Sequence, residues 1–85
     1  MDIFGQEILS IKDEIHKFLN DIDSIPQYMS QKQLIMTIDE LEKMNQVRNP
    51  SKFMPYFPKG ICDCWDDNDE LGNRLMKILD VYVKL

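Results

Sequence analysis

One histidine, two cysteines and three glycines are spread through 85 residues, and each scarcity removes a class of chemistry. A single histidine, His16, leaves no Ser/His/Asp or Cys/His arrangement of known spacing. Gly5, Gly60 and Gly72 are scattered, so no glycine-rich loop can cradle a phosphate. Cys62 and Cys64, one residue apart, cannot make the framework of several disulfides that staples a small secreted fold. Apolar runs stop at three residues, as in Leu34-Ile35-Met36, where a bilayer crossing needs about 20. The opening residues carry acids where a secretory signal has bases, and no apolar core follows them. Bases are scarce as well: ten against fifteen acids, a net charge of −5, which disfavours nucleic acid as a partner and favours a basic protein. These absences lead us to expect a soluble, non-enzymatic chain of the reducing cytoplasm, without membrane or cofactor.

What is present suits one small helical domain spanning residues 1–85, with 44% hydrophobic and 29% charged residues. From Phe4 the apolar positions run Ile8, Ile11, Ile15, Phe18 and Ile22, a stripe along one helix widened by Leu9 and Leu19. That helix should end near Ile22, because Asp21 and Asp23 oppose the negative end of its dipole and Pro26 bars continuation. Ser30 and Gln33 have capping-box spacing, with Met29 and Leu34 as a hydrophobic staple, and open a second helix reaching about Val47. Leu34, Ile38, Leu41 and Met44 are its expected buried face, broadened by Ile35. Asn49-Pro50 breaks it and can cap a short turn. A last helix should start at Asp66, Asp67 or Asn68 and bury Leu71, Leu75, Ile78, Tyr82 and Leu85, with Met76, Leu79 and Val83 as a second row. Gly72 inside it hints at a close neighbour, since glycine there costs about 1 kcal/mol relative to alanine. Asp13/Lys17, Asp39/Lys43, Glu70/Arg74 and Asp80/Lys84 are acid-first pairs four apart. The expected architecture is an all-α antiparallel bundle of three amphipathic helices, with a short helical or irregular aromatic segment between the second and last.

That segment holds Phe53, Tyr56, Phe57 and Trp65, stiffened by Pro50, Pro55 and Pro58. Asp63, Asp66, Asp67, Asp69 and Glu70 follow with no intervening base. Aromatics supply desolvated anchors and acids steer a basic partner, so residues 53–70 have the composition of a partner surface. Tyr56, Phe57 and Trp65 are its candidate anchors and the five acids its candidate steering charges. The same aromatics could instead plug the core of so small a domain, and the acids serve the positive end of the last helix. The stripes of the first and last helices leave a homo-oligomer as the alternative.

Cys62 and Cys64 read best as small packed hydrophobes, with a thiol or metal role as the alternative. A structural zinc site wants four ligands, which two thiols and one remote histidine do not supply. The acids also fail as a calcium loop: counting from Asp66, Leu71 stands where glycine is required and Lys77 where glutamate is required. The adjacent Asp39 and Glu40 read as a solvated face.

The length, the acidic balance, the helix order and the run Pro50-Ser51 followed by Tyr56-Phe57-Pro58 resemble the immunity proteins of nuclease colicins. The resemblance implies a four-helix protein that neutralises a basic nuclease through an acidic second helix and an aromatic pair on a short third helix. Tyr56 and Phe57 would match that pair, with phenylalanine in place of its second tyrosine, and Pro58 the proline after it.

Overall fold

Periodic apolar rows build most of the chain, and the computed structural model, which describes residues 2–85, shows where each row is used. The helices are α1 (Ile3–Asn20), α2 (Gln31–Val47), α3 (Phe57–Cys64) and α4 (Glu70–Tyr82), with a 3₁₀ turn at Ile22–Ser24 and no strand among the described residues. The expected three helices are therefore joined by a fourth, carried by the aromatic segment.

Asp2 caps α1, its carboxylate accepting the Gly5 N–H at 3.2 Å. α1 stops at Asn20, two residues short of the expected end, and Ile22 is exposed in the 3₁₀ turn. At α2 the capping box forms in full: Gln33 N–H donates to Ser30 Oγ and Ser30 N–H to Gln33 Oε1, both at 3.0 Å. Arg48 ends α2 in the left-handed region, φ 49°, and its guanidinium grips Asp2 and lies 5.3 Å from the Phe4 ring centre. The end of α2 is thereby tied to the start of α1. Asn49 then caps a single turn, Oδ1 accepting the Ser51 N–H at 2.9 Å.

α1 packs against α2 and α4, and α3 packs against α2 and α4. Phe4, Ile8, Ile11 and Ile15 of α1 join Leu34, Leu41 and Met44 of α2 and Leu71, Leu75, Ile78 and Tyr82 of α4 in one buried cluster. Most of each stripe that could have met a second chain is thus buried within this one, Ile22 and Leu85 at the ends being exposed. Leu85, Val83, Ile35 and Leu9, all expected on buried faces, are exposed. On α2 the buried face is turned toward Thr37 and Glu40 and away from Ile35, because α3 lies on that side. The radius of gyration, 12.4 Å, matches the roughly 12 Å of a compact chain of this length.

Only Asp39/Lys43, at 3.3 Å, forms among the four acid-first pairs. Arg74 instead reaches across to α1, to Glu7 at 2.9 Å and Glu14 at 2.6 Å. Both carboxylates hold its guanidinium above the ordinary arginine value, the Glu7 hydrogen bond foremost. Lys12 joins Glu42 at 3.0 Å between α1 and α2. No helix among the described residues is long and apolar enough to cross a membrane.

Candidate functional site

The segment that follows α2 is placed by a carboxylate that sequence reasoning put in solvent. Glu40 is only 7% exposed. Its two oxygens accept the backbone N–H groups of Tyr56 and Phe57, the latter at 2.9 Å. The first turn of a helix leaves N–H donors without intrahelical partners, and a carboxylate there also suits the positive end of the dipole. Glu40 supplies from α2 the cap that α3 lacks in its own sequence, since Tyr56 makes no side-chain cap bond. Pro58 sits in that first turn, where a missing N–H costs nothing. The solvated-face reading of Glu40 is thus corrected. Its place beside Leu41, three residues after buried Thr37 and four before Met44, is the spacing that could have revealed it.

The far end of α3 closes on Trp65, which caps the helix through its N–H to the Ile61 carbonyl at 3.0 Å. Its indole N–H points at Gln33 Oε1, 3.3 Å away, and a Cβ on Gly72 would stand 3.1 Å from its ring. The close contact anticipated at Gly72 is therefore with Trp65. Burial splits the three candidate anchors. Phe57 and Trp65 are 7% and 6% exposed and belong to the core, whereas Tyr56 is 79% exposed. As free-standing surface anchors Phe57 and Trp65 are corrected: small domains bury what large aromatics they have.

The five candidate acids divide as well. Asp69 caps α4, Oδ1 accepting the Gly72 N–H at 2.8 Å, while Oδ2 accepts the Tyr28 hydroxyl. The cap therefore lies beyond all three expected positions, Asp66, Asp67 and Asn68. The hydrogen bond to Asp69 pushes the Tyr28 hydroxyl up to about 12. Asp66 accepts the Asn68 N–H at 2.8 Å in a tight turn. Asp63, Asp66, Asp67 and Glu70 are exposed, and none pairs with a base among the described residues.

Cys62 and Cys64 are both free and exposed, which corrects their reading as packed hydrophobes. Residues two apart on a helix face different ways, and Phe57 and Ile61 already hold the inner side of α3. No three side chains of metal-binding type converge among the described residues.

Between α2 and α3 runs a groove of about 100 Å³ whose lining includes Met36, Thr37, Tyr56, Gly60, Ile61 and Trp65. Pockets for small ligands measure about 300–1,000 Å³, so this one admits a side chain rather than a metabolite. Tyr56 stands at its edge, with Met36 and Met54 about half exposed. The chain matches no protein-family model, no curated protein and no solved structure.

Proposed function

We propose that this protein is a small binding module for a basic protein, which it neutralises or regulates through the face carried by residues 53–70. The observation that carries the reading is Tyr56: on a segment whose other aromatics are drawn inward, this ring is 79% exposed. A tyrosine fixed between Pro55 and Pro58 gives a large contact at low entropic cost, and half-exposed Met36 and Met54 are adaptable neighbours. Asp63, Asp66, Asp67 and Glu70, unpaired among the described residues, add the field that speeds encounter with a basic surface. The frame beneath reads as an antiparallel bundle of α1, α2 and α4 with α3 laid against it. Two exposed free thiols favour a reducing cytoplasm. The immunity-protein resemblance points to the same class of partner, a basic nuclease. A homo-oligomer has less to recommend it, because most of each stripe that suggested it is buried inside the chain.

The test is affinity capture from an extract of the source cell on three columns: the wild type, Tyr56→Ala, and a charge variant carrying Asp63→Asn, Asp66→Asn and Asp67→Asn. The wild type should retain a basic protein that salt elutes, and both variants should lose it. Tyr56→Ala should meanwhile change folding stability by less than about 0.5 kcal/mol, as expected of a surface position. Retention of the same proteins by all three columns, or unfolding of Tyr56→Ala, would overturn the reading.

A further inference from the structure

The groove between α2 and α3 is built, and its construction says what it accepts. Its walls are the apolar side chains of Met36, Ile61 and Trp65, and its volume is about 100 Å³. Gly60 contributes no side chain, and a Cβ there would stand 3.3 Å from Gln33 Nε2. A glycine inside so short a helix weakens it, and at this place it keeps the groove open. The capping box fixes how the Gln33 amide lies: Oε1 accepts the Ser30 N–H and the Trp65 indole N–H. Its Nε2 therefore faces the Gly60 side as a donor with no acceptor among the described residues. Lys59 is the one base on α3, and the acids Asp63, Asp66 and Asp67 follow with none between.

We propose that this groove seats a single large apolar side chain from a lysine- or arginine-rich segment of the partner. The inference rests on the reading of the protein as a binder of a basic protein and adds the form of the contact. One apolar side chain fills the space, as the volume permits no more. Its basic neighbours lie against the acids that continue from Asp63. The Gln33 amide stands at the edge as a donor for a backbone carbonyl of the incoming segment.

The experiment uses a short peptide with lysines at both ends and a central phenylalanine, and its counterpart with a central alanine. Both are titrated into the whole chain. Fluorescence of Trp65, the one tryptophan, and the amide resonances of Thr37, Gly60 and Ile61 report the groove. Resonances of Asp63, Asp66 and Asp67 report the acidic face. The phenylalanine peptide should move both sets, and the alanine peptide should bind about tenfold or more weakly, the loss expected when one large side chain stays in water. Gly60→Ala, whose helix content circular dichroism checks, should shrink that difference by narrowing the groove. Equal binding of both peptides, with shifts at the acids alone, overturns the groove and leaves the acidic-face reading standing. No shift with either peptide overturns both.

Discussion

Two ways of fastening a helix meet in this molecule. α1, α2 and α4 are held along apolar rows, with Ile11, Ile15, Leu34, Leu41, Met44, Leu75 and Tyr82 all fully buried. α3 buries Phe57, part of Ile61 and, just beyond it, Trp65. Each of its ends is set by one polar side chain on α2: Glu40 at the first turn and Gln33, under the Trp65 indole, at the last. Apolar rows spread their stabilisation over many atoms, so no one contact decides the outcome. A buried carboxylate that satisfies two N–H groups concentrates it, since losing it strands both donors. The frame is thus built to persist, and the segment carrying Tyr56 depends on a few exact partners.

Substitutions should separate the two regions. The largest effect is expected in the frame: Leu41→Ala or Leu75→Ala should cost about 2–5 kcal/mol, read as a lower urea midpoint at unchanged slope. Glu40→Ala should cost about 1–3 kcal/mol for the stranded donors, with helical content lost over α3 while amides of α1 keep their protection. If Glu40→Ala instead unfolds all four helices together, the two regions are one unit. Gly72→Ala sets a helix-propensity gain of about 1 kcal/mol against a Cβ 3.1 Å from the Trp65 ring. Because that ring is packed and rigid, the net should be a small loss, with a shift in Trp65 fluorescence as its signature.

The smallest effect is a pH dependence. The folded chain keeps the Tyr28 proton up to about 12, whereas the unfolded chain releases it near 10.0. Between those values the folded state binds more protons, so stability is complete below the lower value and falls as pH rises through the upper one. Burial raises the Tyr82 hydroxyl in the same direction. Melting temperature should therefore decline across this window, and Tyr28→Phe should flatten the decline without abolishing it.

The same contrast explains what could be read from the sequence. Three helices were legible because their rows repeat over many turns, and the α2 start because Ser30 and Gln33 carry the whole signal locally. The Asn49 turn and the crowding at Gly72 were legible for the same reason. α3 was legible only as a short segment, helical or irregular. Eight residues with a proline in the first turn show too little period to read, and the cap comes from Glu40 on another helix. The α4 cap was misplaced because Asp66, Asp67, Asn68 and Asp69 share one local preference, and Tyr28, 41 residues away, accompanies the choice of Asp69. For the candidate site, composition marked the acids and the aromatics. Which aromatic stays outside was decided by packing against Gly72 and Gln33, which no local pattern records.

Native-state hydrogen exchange of the wild type beside Glu40→Gln tests most directly whether α3 is a separately fastened element. The α3 amides should open at lower free energy than those of α1, α2 and α4. Glu40→Gln should speed exchange in α3 with little change elsewhere. Equal opening free energies in all four helices, shifted together by the substitution, would make α3 part of one cooperative unit and contradict its separate fastening.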